Sequence, residues 1–303
     1  MGTLLAVATS TGTGLSALAT ANFWAQALDW WENASFSGTF LSPSQAIESL
    51  PVVAQGFPVT LTMAFIGFFL AIPLGLGLAF LKMAKFAPLR WIATTYVDVI
   101  RGTPLLLQII VIYLGLPLMP AFQTAMEPFS NITFLSLDFS AWFRAFLILS
   151  ANSAAYLAEI FRAGIQSIPK GQMEAARSLG MKTSMAMSVV ILPQTVRRIL
   201  PTSLSEFILL LKDTALFTVV SFGEMMLYAR WEQARTFNMT PLVLVAVFYL
   251  LVTIPAGRIV ARLENKLAEQ DSGTASRGKR PPRLDVASTH VVPHQENVLQ
   301  EVR

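Results

Sequence analysis

The chain contains no cysteine and only two histidines, and 13% of its 303 residues are charged. Without cysteine there are no disulfides, thiol nucleophiles or thiolate metal ligands. The two histidines, His290 and His294, lie in the polar C-terminal stretch, and no H-E-x-x-H pair exists to hold zinc. No G-x-x-x-x-G-K-[ST] loop is present to cradle nucleotide phosphates, and no G-x-S-x-G elbow presents a serine nucleophile. The sequence therefore points away from an enzyme and calls for no cofactor or metal. Any energy source has to come from a partner. Basic residues are also absent before Lys82, so the apolar stretch 15–21 lacks the positive flank of a secretion signal.

What the chain has in abundance is hydrophobic residues, 54% of the total. A water-soluble domain normally carries about a quarter charged residues, and this chain has too few to cover a core of that size. Crossing a bilayer needs only apolar helices of about 20 residues. Hydropathy gives five: residues 57–81, 89–116, 141–161, 204–222 and 242–260. The second holds Gly102 and Pro104, where a missing backbone donor predicts a kink. The expected fold class is an all-α integral membrane protein. It divides into an extracytoplasmic N-terminal segment 1–55, a membrane domain 56–267 and a disordered tail 268–303. Phe23, Trp24, Trp30 and Trp31 beside Asp29 and Glu32 have the composition of a segment lying at a membrane surface, and equally that of a loose tail.

Basic residues set the orientation. Seventeen fall in the loops after spans one, three and five, and three (Arg144, Arg230, Arg235) on the other side. Positive loops stay in the cytoplasm, so the N-terminus is expected outside and the C-terminus inside.

Two groups of residues carry candidate chemistry. In the loop after span three, 171–179 reads as a short helix with Met173, Ala176 and Leu179 on one face and Gly180 ending it. Such a helix between membrane spans is either an ordinary interfacial helix or a peg for a partner's groove. Inside the spans, Arg101, Lys212 and Asp213 are ionisable groups at mid-depth, and Asn152, Tyr156 and Glu159 share one face of span three. A zwitterionic solute needs a cation for its carboxylate and an acid for its ammonium. Arg101 suits the first, Glu159 or Asp213 the second. Internal pairing, Asp98 with Arg101 and Lys212 with a neighbouring helix, is the competing reading.

Several of these stretches resemble one family. Glu174-Ala175-Ala176, then Gly180 and Leu192-Pro193, resemble the EAA motif of binding-protein-dependent ABC importer permeases, with Val190 where isoleucine is usual. Arg101-Gly102-Thr103-Pro104, the run Ala155–Ile160 with Arg162, and Lys212-Asp213-Thr214 are similar to the polar amino-acid uptake subfamily. The resemblance spans about residues 57–267. It implies a five-span type I ABC importer transmembrane domain working by alternating access in the bacterial inner membrane. Implied partners are an ATP-binding ABC subunit, a second permease subunit, an extracytoplasmic amino-acid-binding protein and an amino-acid substrate, in a lipid membrane and without nucleic acid. ATPase coupling would rest on Gly171, Glu174, Ala175, Ala176 and Gly180, and the substrate pathway on Arg101, Asn152, Tyr156, Glu159 and Asp213. The alternative from another class is an ion-coupled secondary transporter, which also needs buried charges and broken helices.

Overall fold

The computed structural model describes residues 22–27, 29–30 and 40–278, and no side chain beyond Leu267. Expectations for the first 21 residues, for Trp31 and Glu32, and for the tail beyond 278 lie outside that set. Trp24 and Trp30 are largely exposed on helical backbone.

The body opens with α1 (Pro43–Gln55), started by Pro43 and by the Ser42 hydroxyl accepting from the Gln45 N–H at 3.4 Å. Gly56 links it to α2 (Phe57–Lys82), a 26-residue helix with no acidic residue and one base, Lys82, at its end. The boundary expected at residue 55 therefore falls inside one helical run. The run is anchored because Val53 packs with Met225, Ala229 and Val245. At Gly56 the approach is so close that a Cβ would lie 2.4 Å from the Met225 Cα.

The second expected span is not one helix. It consists of α3 (Ala87–Gly102) and α4 (Leu105–Gly115), and the axis turns through 105° between them. Thr103 is extended (φ −114°, ψ 143°), the conformation that a residue before proline is pushed toward. Beyond α4 come a short α5 (Pro120–Met126) and a hairpin of β1 (Thr133–Phe134) with β2 (Leu137–Asp138).

Asp138 then caps α6 (Phe139–Gln166) by accepting from the Ala141 N–H. The pairing of α6 with α2 is the most extensive in the molecule. Glycines permit it: a Cβ on Gly75 would sit 2.8 Å from Leu157 Cβ. Met63, Ala64, Ile148, Leu149 and Leu157 fill the seam. Near the hairpin, Trp142, Phe217 and Phe222 meet edge to face around Tyr113.

The chain continues through α7 (Lys170–Ser178), α8 (Thr183–Ala186) and a π-helical turn (Met187–Ile191) into α9 (Leu192–Asp213). A 3₁₀ stretch, Thr214–Val220, follows. The fourth span was expected over 204–222, so its helix starts twelve residues earlier and ends sooner. Gln194, Arg197 and Arg198 in its first half hid the start from hydropathy. After α10 (Met225–Thr236) comes α11 (Thr240–Gly278), which runs into the segment assigned to the tail.

Among the described residues, two helical runs are long and apolar enough to cross a membrane alone, Pro43–Lys82 and Thr240–Leu267, and the bent α3–α4 pair is a third candidate. Large apolar side chains such as Phe65, Phe69, Leu74, Leu250 and Leu251 face outward, as a lipid solvent allows. The core is instead rich in alanine and glycine.

Candidate functional site

The α3–α4 break is a built feature. Pro104 brings no N–H, so carbonyls at the end of α3 lose their helical donors. Gln108, one turn into α4, replaces them. Its Nε2 donates to the carbonyl of Ile100 at 2.8 Å, and to the carbonyl and hydroxyl of Thr103 at 3.2 and 2.9 Å. Its Oε1 accepts from Asn152 Nδ2 on α6 at 3.1 Å. Both amides are buried, and together they fix the angle of the break against α6.

Arg101 projects from this corner. Its guanidinium carbon lies 5.2 Å from the centre of the Tyr156 ring, a cation–π distance. One turn before Tyr156 on α6, buried Ser153 donates its hydroxyl to Glu206 of α9 at 3.1 Å. Glu206 is itself buried, and Asp213 follows it two turns later on α9. The face shared by α3, α6 and α9 thus offers a cation, a carboxylate, an aromatic ring and fixed amide dipoles, with a second carboxylate, Asp213, at the end of α9.

Arg101 and Tyr156 meet at this corner and Asn152 fixes it through Gln108, whereas Asp213 lies two turns beyond Glu206 at the end of α9 and Glu159 is engaged elsewhere. Its Oε1 pairs with Lys82 Nζ at 2.5 Å and its Oε2 with Arg162 Nη2 at 2.6 Å. Among the described residues, no ion pair joins Asp98 to Arg101, and Lys212 is exposed with none. The sequence reading passed over Gln108, Ser153 and Glu206. An acid seven residues ahead of Asp213, in an otherwise apolar run, was the available signal for Glu206. Nothing in the sequence marked Gln108 beyond its place one turn after the proline.

The second candidate is α7. It has nine residues, begins after Pro169 and ends where Gly180 takes φ +83°, a left-handed conformation natural to glycine. Gly171, Glu174 and Ala175 are exposed, whereas Ala176 is 4% exposed and turns inward. Only Ala175 of that pair is free for close approach. Leu179, expected on one face with Met173 and Ala176, is 80% exposed, because the helix has already unwound there. Glu174 sits past the first turn and caps no N–H. Around a Cβ built on Gly180 there is nothing within 4 Å. Leu192-Pro193 has a visible consequence as well. Pro193 cannot donate to the Val189 carbonyl, and the wide π turn Met187–Ile191 lies at that point.

Residues 71–269 match the family described as binding-protein-dependent transport system inner membrane component. The arginine transport system permease protein ArtQ of Bacillus subtilis is 35% identical over 229 residues, 75% of this chain and 98% of its own. The glutamate/aspartate import permease protein GltK of Escherichia coli O157:H7 is 33% identical over 226 residues, 74% and 97% of the two chains. A crystal structure of an amino acid ABC transporter with histidines superposes with a TM-score of 0.61 at 36% identity, covering 73% of this chain and 96% of that one. With two thirds of its length matched and its motifs in place, this chain belongs to the family of inner-membrane permease components of binding-protein-dependent transport systems.

Proposed function

We propose that this permease is one half of the membrane channel of an ATP-driven amino-acid importer in the bacterial inner membrane. It would cross the membrane five times with its N-terminus outside and its C-terminus in the cytoplasm. The 17-to-3 division of basic residues supports that orientation. The spans would be α2, the broken α3–α4 pair, α6, α9 and α11.

The observation that carries the reading is α7. It is a short, largely exposed helix held between two membrane helices, in a sequence without a phosphate loop. Gly171, Glu174, Ala175 and Gly180 form its free face, and we propose that this face seats in a groove of a separate ATP-binding subunit. Ala176 serves that contact from beneath by anchoring the helix. Hydrolysis belongs to that subunit, so this chain is not itself an enzyme. An extracytoplasmic binding protein delivers substrate, and a second permease, identical or paralogous, completes the pathway. Transport proceeds by alternating access as the ATPase subunits close and reopen beneath α7.

The polar face supplies a substrate pathway suited to a zwitterion. Arg101 answers the carboxylate, Glu206 and Asp213 the ammonium or a cationic side chain, while Tyr156 and Asn152 shape the wall. Relatives named for arginine and for glutamate and aspartate agree with the amino-acid class. Glu159, spent on Lys82 and Arg162, leaves the ammonium role to the other two acids. Family membership sets aside the ion-coupled secondary carrier.

The test is reconstitution. Permease in proteoliposomes with its ATPase and binding protein should take up amino acids only with ATP inside. Cysteine labelling should place residue 171 in the cytoplasm and residue 129 outside. Uptake driven by an ion gradient without ATP, or inverted labelling, would refute the reading.

A further inference from the structure

At the root of α7, two sets of polar contacts, joined by the backbone from Gln166 to Ser167, tie three helices together. Lys82, the last residue of α2, donates to Glu159 Oε1 at 2.5 Å. Glu159 Oε2 accepts both Nε and Nη2 of Arg162, at 3.1 and 2.6 Å. The remaining arm of that guanidinium, Nη1, donates to Gln166 Oε1 at 3.0 Å, and Gln166 is the last residue of α6. The next residue is Ser167, whose carbonyl accepts from Arg198 Nη1 of α9 at 2.9 Å. Pro169 then starts α7. Thus α2, α6 and α9 are all fastened within the eleven residues from Glu159 to Pro169 that precede α7.

We propose that these contacts transmit the motion of α7 to the bundle, with Glu159 as a positioning residue rather than a substrate ligand. The proposal rests on the reading that α7 seats on an ATPase subunit. A pull on α7 acts directly on the end of α6 and, through α8 and the π turn, on the start of α9, because the backbone continues at both ends of α7. Helix α2 has no such link to α7 and follows only as far as it is tied to those two. Along α6 and α9 the tie is steric: a Cβ on Gly164 would lie 2.1 Å from Ile199 Cγ2. Between α6 and the end of α2, past Ala79, the last buried residue of α2, the ion pair is the polar tie beside the packing of Met83 on the cluster of Ile165, Ile168 and Ile191.

The chemistry suits a tie. The Lys82 and Glu159 side chains are 11% and 20% exposed, so solvent screens the pair poorly. Arg162 grips one oxygen with two N–H groups and so orients the carboxylate, leaving the other oxygen aimed at Lys82. A carboxylate so fully occupied has little capacity left for a passing ammonium.

The experiment compares wild type, Glu159→Gln, Lys82→Met and Lys82→Arg in the reconstituted complex. The probe is a mixture of radiolabelled amino acids, narrowed to one the wild type takes up. Initial uptake is measured against concentration, alongside ATP hydrolysed per molecule moved. Glu159→Gln and Lys82→Met should assemble with the ATPase and keep KM within about twofold. Maximal uptake should fall about tenfold while hydrolysis continues, so the ATP-to-substrate ratio rises. Lys82→Arg, which keeps the charge, should restore the ratio.

A KM raised about tenfold at an unchanged ratio would overturn the proposal and make Glu159 a substrate ligand. Wild-type values for both removal variants would make the tie incidental and also overturn it. Should Glu159→Gln fail to insert, Lys82→Met carries the test, because it leaves α6 untouched. Failure of the coupling reading itself would show separately, as wild-type permease that does not retain an ATPase.

Discussion

Two interruptions of the helical chain are made with the same residue and end differently. At Thr103-Pro104 the axis turns through 105° and every freed carbonyl that Gln108 reaches is satisfied from within the chain. At Leu192-Pro193 the helix keeps going, widened to a π turn, and most of the segment from Gly171 to Gly180 ahead of it stands open to solvent, with Ala176 turned inward. The difference lies in the residue before each proline. Thr103 takes the extended conformation that proline favours next to it, whereas Leu192 stays helical (φ −59°, ψ −43°) in the middle of a long helix. The first break is sealed and so sets a shape. The second region is left unsealed, which is what a surface needs if another protein is to cover it.

The largest expected effect separates the two regions. Gly180→Asp should abolish uptake, or release the ATPase, while the permease alone keeps its thermal stability within about 1 kcal/mol, since aspartate tolerates left-handed backbone. Among the described residues nothing lies within 4 Å of a Cβ at Gly180, so the substitution meets no neighbour there and its effect is expected at the contact with the ATPase. Co-purification of the ATPase beside a melting curve of the isolated permease checks it. Unchanged uptake in an intact complex would mean that α7 is not the coupling element. Gln108→Leu should do the reverse. It keeps the volume but strips donors from the Ile100 and Thr103 carbonyls, each worth roughly 1–3 kcal/mol when left bare. A lower Tm in detergent, with ATPase binding retained, is the expected signature. A full-length α3–α4 pair with unaltered Tm would show that Pro104 alone holds the angle.

The helical membrane class, the exposed short helix and its glycine stop were legible in the sequence because each rests on one local signal. The break at Pro104 was legible as a kink, but not its size. The angle depends on Gln108 and Asn152, which meet across 44 positions of chain. Span four was misplaced because hydropathy weighs Arg197 and Arg198 as loop, although in α9 both are exposed at the end beside α7. Among the candidate site residues, Arg101 and Tyr156 lie 5.2 Å apart in the fold. Helical spacing put Glu159 on the face of Asn152, yet spacing knows nothing of Lys82, which arrives from another helix. Ala176 shows the same limit in reverse: the motif couples it to Ala175, and only the fold shows that one faces out and the other in.

On the sealed side, Arg101→Ala should weaken substrate recognition by about 1.5–3 kcal/mol, roughly ten- to a hundredfold in KM, because a charge-assisted contact is lost. Assembly with the ATPase should be unaffected, and that contrast with Gly180→Asp sharpens the division between a face that meets solute and a face that meets protein. Binding and uptake assays on the same preparation decide it. Normal KM in Arg101→Ala would assign Arg101 to structure instead.

The smallest effect concerns Tyr156. Its ring lies under the Arg101 guanidinium at 5.2 Å, and no hydrogen bond of its hydroxyl is found among the described residues. If the ring positions Arg101 through its π face, Tyr156→Phe should leave KM unchanged within about a factor of two, since phenylalanine keeps that face. Tyr156→Leu removes it and should cost about 0.5–1 kcal/mol, a two- to fivefold rise in KM, because the pair is partly open to solvent. The order of the two variants matters more than either value. A large loss in Tyr156→Phe, with little further loss in Tyr156→Leu, would mean that the hydroxyl meets the substrate directly. The double variant Arg101→Ala with Tyr156→Leu gives the coupling between them. If the ring acts only through the arginine, removing it after Arg101 is gone should change KM no further.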